Sequence, residues 1–261
     1  MQYKVGDLDI MDFLSNIDTQ VITNLTDLER TFLGRVYAGD FDRYIQRINQ
    51  IQFVDIGKVL DAGAGFGQWS IALSLNRNQV YALDSEINNC QVLSQIVNKN
   101  NIPVQVIHGK LEELPFEDNF FDGIFSYSVL YFTNYQISLE EIYRVLKPSG
   151  RCYLNTNDLG WYIYLLFSKH NATQDYNPRL YALKSILNTY FGLSKDFSIQ
   201  NGSQFIPKKR LIKRLRSLGF KIIDVKGDGM INCIGNSKGI PFFKDSFLGI
   251  PATYEILIEK P

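Results

Sequence analysis

The chain has 261 residues, 45% of them hydrophobic and 21% charged, an ordinary globular composition with enough apolar material for one large core. Its 27 Lys+Arg and 27 Asp+Glu cancel to zero net charge, which argues against holding duplex DNA or an anionic membrane by bulk electrostatics while leaving room for a local basic patch. Three scattered cysteines (Cys90, Cys152, Cys233) and two histidines leave neither a disulfide framework nor a Cys/His zinc site and point to a reducing, cytoplasmic compartment.

Residues 1–56 read as an N-terminal helical cover. Val21, Ile22, Leu25, Leu28 and Phe32 recur at helical spacing, Ala38-Gly39-Asp40 breaks the pattern, and Phe41–Ile51 forms a second helix. From Lys58 the rhythm becomes strand and helix in turn: strands at Lys58–Asp61, Gln79–Leu83, Pro103–Ile107, Asp122–Tyr127 and Arg151–Asn155, with helices at Gly67–Leu75, Glu86–Asn100 and Leu139–Leu146. Lys147-Pro148-Ser149-Gly150 stops the last of these helices. Such alternation means βαβ units and a mostly parallel sheet with helices on both faces. The stretch 159–205 is aromatic-rich and lacks a strand pattern, so it reads as an inserted cap. Its run Trp161–Phe167 is the longest apolar stretch, far short of the ~20 residues a membrane span needs, and the N-terminus lacks a signal-peptide apolar region. A helix at Pro207–Leu218, a strand at Phe220–Val225, a Gly-rich connection and a final strand at Thr253–Ile258 complete the α/β domain, which comprises 57–158 and 206–261.

Val59-Leu60-Asp61-Ala62-Gly63-Ala64-Gly65-Phe66-Gly67-Gln68 is the most informative segment. Glycine permits positive φ and close approach of a ligand to the backbone, and the following helix start offers free N–H groups. A dinucleotide site needs the spacing G-x-G-x-x-G/A. Here the third glycine comes one residue early, and Asp61 would repel a pyrophosphate but attract an ammonium or sulfonium. The implied ligand is a nucleoside with a cationic appendage. Asp84, ending the second strand about twenty residues beyond the first glycine, is placed to take both hydroxyls of a ribose.

With Gly109-Lys110-Leu111-Glu112-Glu113-Leu114-Pro115-Phe116, Phe121-Asp122-Gly123-Ile124-Phe125-Ser126 and Arg144-Val145-Leu146-Lys147-Pro148-Ser149-Gly150 following in order, the chain resembles the class I S-adenosylmethionine-dependent methyltransferases with small-molecule acceptors. The resemblance implies a doubly wound, Rossmann-like, seven-stranded sheet, mostly parallel with one antiparallel strand, carrying N-terminal helices and an inserted helical cap. It implies that Gly63, Ala64, Gly65 and Gly67 lie beneath the methionine part of S-adenosylmethionine, with Asp61 near its ammonium. Asp84 would hold the ribose, Ser85 and the Leu111 N–H the adenine, with Glu112 beside it, and Ser126 would meet the methionine end. Family members often carry an acid where this chain has Lys110. Tyr37, just after the first helix, is a position that would close over the cofactor.

Methyl transfer from a sulfonium is an in-line displacement that chiefly needs alignment. The fourth strand lacks the Asn/Asp-Pro-Pro-aromatic signature of amine methylation on nucleobases or glutamine, no Pro-Cys pair serves pyrimidine chemistry, and the paired acids of metal-assisted enzymes are missing, so no metal is expected. The reaction expected is methylation of an oxygen or nitrogen of a small metabolite (a sugar, lipid-linked or natural-product acceptor), leaving S-adenosylhomocysteine. Tyr131, Trp161 and Tyr164 are the acceptor-lining candidates, and His170 is the general-base candidate, each with a plain packing alternative; His108 reads as structural. The insert is either a lid or a subdomain with its own core. The basic run Lys208-Lys209-Arg210, Lys213, Arg214 and Arg216 reads as a solvated helix face; RNA modification, or a nucleoside-binding protein without turnover, are the alternatives.

Overall fold

The computed structural model describes residues 17–38, 41–235 and 238–261. Strands β1 (Lys58–Ala62), β2 (Gln79–Asp84), β3 (Val104–His108), β4 (Phe121–Tyr127) and β5 (Leu146–Asn157) pair in parallel, and β6 (Lys221–Gly227) pairs only with the last strand. After a short antiparallel hairpin, β7 (Ser246–Phe247) and β8 (Ile250–Pro251), the last strand, β9 (Thr253–Glu259), runs antiparallel between β5 and β6. The order β3-β2-β1-β4-β5-β9-β6 is the expected seven-stranded mixed sheet. Side chains alternate across it, as strand geometry requires. Val59 joins the core on one face and Leu60 the core on the other.

Helices cover both faces. On the first lie α2 (Asp27–Ala38), α3 (Asp42–Gln50), α4 (Gln68–Leu75) and α5 (Ile87–Lys99), contributing Leu33, Ile48, Ile71 and Val92 among others. On the second lie α6 (Tyr135–Val145) and α9 (Lys208–Ser217), contributing Leu139, Ile142, Leu211 and Leu215. Among the described residues no helix is long and apolar enough to cross a membrane.

Three local features depart from the sequence expectation. The first helical stretch is split into α1 (Thr19–Thr23) and α2, because Thr26 and Glu29 form a capping box: Glu29 Oε2 accepts from the Thr26 N–H at 2.7 Å, and Thr26 Oγ1 accepts from the Glu29 N–H at 3.2 Å. Gly39 and Asp40 of the expected break lie outside the described residues. Helix α6 begins at Tyr135 rather than Leu139, since buried Tyr135, Ser138, Leu139, Ile142 and Val145 share one face. The β5 strand begins at Leu146, just ahead of the Lys-Pro-Ser-Gly turn, whose residues are skipped as the β4 partner register jumps from Phe121↔Leu146 to Gly123↔Arg151.

Segment 159–205 holds two helices, α7 (Leu159–Phe167) and α8 (Pro178–Phe191). Asp158 caps α7 through the Leu159 N–H; Asn177 caps α8, with Pro178 in its first turn and Gly192 left-handed at its end. Tyr162, Leu165, Tyr176, Tyr181 and Phe205 pack there as a third apolar cluster.

Candidate active site

Sheet order reverses between β1 and β4, so the carboxyl ends of β1, β2, β4 and β5 surround a topological switch point, where open α/β sheets bind ligands. The glycine loop sits there. Gly63 and Ala64 N–H groups both donate to the Leu83 carbonyl, at 2.8 and 2.9 Å, which ties the loop to β2. Gly63, Gly65 and Gly67 all have positive φ. Their surroundings differ. A Cβ on Gly63 would strike Val129 at 2.3 Å and one on Gly67 would strike Leu93 at 2.0 Å, whereas nothing lies within 4 Å of a Cβ on Gly65. The outer two glycines are therefore required by the protein's own packing, and the middle one borders open space.

Around that space the polar groups converge. The Gly65 N–H donates to Asp84 Oδ2 at 2.7 Å, while Asp84 Oδ1 accepts from the Glu86 N–H at 2.9 Å and from Asn89. Oδ1 thus has both lone pairs engaged, and Oδ2 keeps room for a further donor. Asp61 is 1% exposed and accepts from the Ser70 hydroxyl at 2.5 Å. Burial pushes its carboxyl up to about 7, against the Ser70 hydrogen bond and aided by the nearby Asp84 charge. Gln68, at the start of α4, is buried with its Oε1 unpartnered. An open glycine cradle, a buried carboxyl without a cation and an orphaned amide oxygen fit a nucleoside ligand bearing a positive group.

Other expected cofactor residues are placed differently from one another. Tyr37 is 1% exposed and its hydroxyl donates to the Phe66 carbonyl at 2.6 Å. It braces the glycine loop from behind. Ser126 is fully buried and spends its hydroxyl on the Ala62 carbonyl at 3.0 Å, so only its backbone is free to meet a ligand. Ser85 is exposed and its carbonyl accepts from His108 Nε2 at 3.0 Å, a bond between the ends of β2 and β3. The Leu111 side chain is buried with Leu83 and Leu114, and Glu112 Oε1 accepts from the Asn134 N–H at 2.8 Å.

The acceptor candidates fall into two groups. Tyr131 is buried in a 3-10 turn after β4, and burial pushes its hydroxyl up to about 12, against the influence of nearby Ser128 and Asn157. Trp161, Tyr164 and His170 come together: His170 lies 5.3 Å from the Trp161 ring and 5.8 Å from Tyr164. His170 is half-buried with Nε2 unpartnered, and burial followed by the Arg35 charge lowers its pKa. Its imidazole is thus held neutral, the form that accepts a proton.

A contribution invisible as a motif comes from the loop between β6 and β9. Asp228, 1% exposed, accepts from Tyr127 at 2.7 Å and Asn155 at 2.8 Å through Oδ1, and from the Phe242 and Phe243 N–H groups through Oδ2. This brings Phe243 within 5.3 Å of Trp161 and 6.3 Å of Tyr127, and Phe247 within 5.5 Å of Tyr164. Trp69 in turn lies 4.8 Å from Tyr127, so ring contacts run from the start of α4 to His170. The basic residues of α9 flank a buried Leu211–Leu215 face, and Arg214 pairs with Glu140.

The space at Gly65 yields a test. Gly65→Ala meets no atom and costs the folded chain only the left-handed φ of 55°, about 1–2 kcal/mol. Its methyl group enters the open space beside the loop. The variant is expected to fold, with S-adenosylmethionine affinity by calorimetry reduced at least tenfold. Gly67→Ala, which meets the buried Leu93, is expected to lower the melting temperature more than Gly65→Ala does.

Residues 60–154 match the methyltransferase domain family. The chain is similar to demethylmenaquinone methyltransferase of Geobacillus sp. (strain WCH70), 36% identical over 99 residues that cover 36% of this chain and 42% of that protein. The match therefore spans less than half of that relative's length. It is 32% identical over 131 residues to the Bacillus subtilis (strain 168) protein named "Putative methyltransferase YrhH", covering 47% of this chain and 73% of the relative. Among solved structures, a SAM-dependent methyltransferase of Methanosarcina mazei superposes with a TM-score of 0.54 at 17% identity over 78% of this chain and 92% of that one, a likeness of fold. Sequence identity across most of YrhH, the family match that opens on the glycine loop and the seven-stranded order agree: the chain belongs to the class I S-adenosylmethionine-dependent methyltransferases.

Proposed function

We propose that the protein transfers a methyl group from S-adenosylmethionine to an oxygen or nitrogen of a small, largely apolar acceptor, leaving S-adenosylhomocysteine. The observation that carries this reading is the open space at Gly65, beside Asp84 and following the strand that carries buried Asp61, with ring contacts running from the start of α4 to a neutral histidine. The bound cofactor supplies the activated methyl group. In the bound state Asp84 would accept from the ribose, Asp61 would balance the ammonium, and the free N–H groups of the first α4 turn would hold the methionine carboxylate, the loop's own glycine N–H groups being engaged within the protein.

Trp161, Tyr164, Phe243 and Phe247 form apolar walls that exclude water and suit an aromatic or prenyl-like acceptor. "Demethylmenaquinone", in the name of the Geobacillus relative, is an acceptor of that apolar kind. His170 Nε2 takes the acceptor proton as the new bond forms, a contribution of typically 10²–10⁴-fold.

Two measurements test this. Asp84→Asn is expected to weaken S-adenosylmethionine binding by about 1–3 kcal/mol, roughly 5- to 150-fold, with the ligand-free melting temperature reporting any loss of the Gly65 contact. An unchanged affinity removes the ribose assignment. Release of S-adenosylhomocysteine with a panel of phenols, quinols and amines identifies the acceptor. On that acceptor His170→Gln is expected to lower kcat by at least about 100-fold with cofactor affinity unchanged. Equal turnover by the variant would leave His170 a packing residue.

A further inference from the structure

Helix α8 buries Tyr181, Ala182, Ser185 and Asn188 and leaves the opposite side apolar. Leu180 is 50% exposed, Leu183 48%, Tyr190 64% and Phe191 70%, with half-buried Leu187 between them and Leu193, 67% exposed, just beyond. At 100° per residue, positions 180, 183, 187, 190 and 191 fall within an arc of about 100°. Arg179 borders one margin of that arc and Lys184, whose ammonium donates to the Gln200 carbonyl at 2.6 Å, borders the other. No Asp or Glu occurs from Asn177 to Lys195. The acids that flank this stretch are engaged: Asp175 accepts from the Asp27 and Leu28 N–H groups and Asp196 from Asn201.

We propose that the outer face of α8 docks on an anionic lipid bilayer, lying in the plane of the interface with Leu180, Leu183, Tyr190 and Phe191 in the acyl boundary. Long apolar and aromatic side chains framed by two cations is the pattern of an interfacial helix, in which Arg and Lys snorkel to lipid phosphates at its margins. Charge complementarity selects this occupant over a second copy of the chain. An isologous contact through α8 sets Arg179 and Lys184 of one copy near those of the other, with no carboxylate in the segment to pair them. With zero net charge the protein as a whole has no bulk attraction to an anionic surface, so the two cations of α8 add to apolar insertion and do not replace it. The proposal stands apart from the methyl-transfer reading, and its failure leaves that reading untouched.

The test is sedimentation of the full chain with phosphatidylcholine vesicles, plain or containing about one third phosphatidylglycerol. Binding to the anionic vesicles, weaker to the plain ones and reduced several-fold at about 0.5 M salt, is expected. Leu183→Glu with Phe191→Glu alters only exposed side chains, so melting temperature and S-adenosylmethionine affinity should hold while vesicle binding falls about tenfold or more. The proposal is overturned by wild-type protein that sediments with neither vesicle, by a double variant that sediments like wild type, or by light scattering that shows a dimer which the variant dissociates.

Discussion

Glu255→Ala is expected to destabilise the protein by about 3–5 kcal/mol, the cost of leaving a buried charge without its partner. Glu255 and Arg47 are both fully buried, with Arg47 Nη2 2.6 Å from Glu255 Oε2. The same oxygen accepts from the Tyr153 hydroxyl at 2.5 Å and the Gly229 N–H at 3.0 Å, and Oε1 accepts from the Ile231 N–H. One carboxylate thus joins α3, β5, β9 and the start of the loop that carries Asp228, Phe242 and Phe243. Truncation strands the guanidinium, which retains only the Ile231 carbonyl and a 3.3 Å bond to Gln50 through Nη1 and a 3.5 Å contact to Tyr153 through Nη2. At this chain length the loss corresponds to a melting temperature about 6–15 °C lower. Urea unfolding checks the magnitude, and the double variant Arg47→Met with Glu255→Leu, which removes both charges, should recover most of the loss. A single-variant cost below about 1 kcal/mol, or a double variant no better than the single, would sink the argument. Because the network holds the Phe243 loop and not the glycine loop, the residual folded protein should bind S-adenosylmethionine normally.

How much of this was legible in the residues differs from element to element. The sheet was readable because its strands are short apolar runs closed by Gly, Pro and Asn, and because Asp61, the three glycines and Asp84 mark two strand ends by chemistry as well as by pattern. Helix α8 announced itself by Asn177-Pro178 and Gly192, but aromatic residues on every side of the 159–205 stretch hid the 3.6-residue period. The split of α1 from α2 was written in Thr26 and Glu29, a cap signal overridden by the continuous apolar spacing from Val21 to Phe32.

The loop after β6 was not legible at all. Asp228, Phe242 and Phe243 lie apart in sequence, and only the pairing of the Asp228 carboxylate with Tyr127 and Asn155 brings them to the site. Likewise Ser126 ends the right strand, yet the pleat turns its hydroxyl toward β1. Period-2 alternation shows which residues share a face, but not which hydroxyls are already spent.

Asp61 makes the ligand-free protein and its cofactor affinity respond to pH in opposite senses. Below the ordinary carboxyl value of 3.8 the group is neutral in both folded and unfolded chains and costs nothing. Between there and about 7 the folded chain keeps the proton that the unfolded chain has lost, so stability falls as pH rises. Above 7 the full penalty of burying the charge, about 4 kcal/mol, is present. Asp61→Asn, whose amide oxygen still accepts from Ser70, should therefore be more stable than wild type at pH 8 and nearly equal at pH 4. Binding reverses the balance. A methionine ammonium placed beside Asp61 favours the carboxylate, so binding below pH 7 releases a proton and affinity climbs toward tenfold per pH unit until the carboxyl ionises unaided. Calorimetry at pH 6 in buffers of different ionisation enthalpy should register that proton for wild type and not for Asp61→Asn. S-adenosylhomocysteine keeps the ammonium but lacks the sulfonium charge. Equal proton release with product and cofactor places Asp61 at the ammonium, release with S-adenosylmethionine alone places it at the sulfur, and none with either removes Asp61 from the cofactor site.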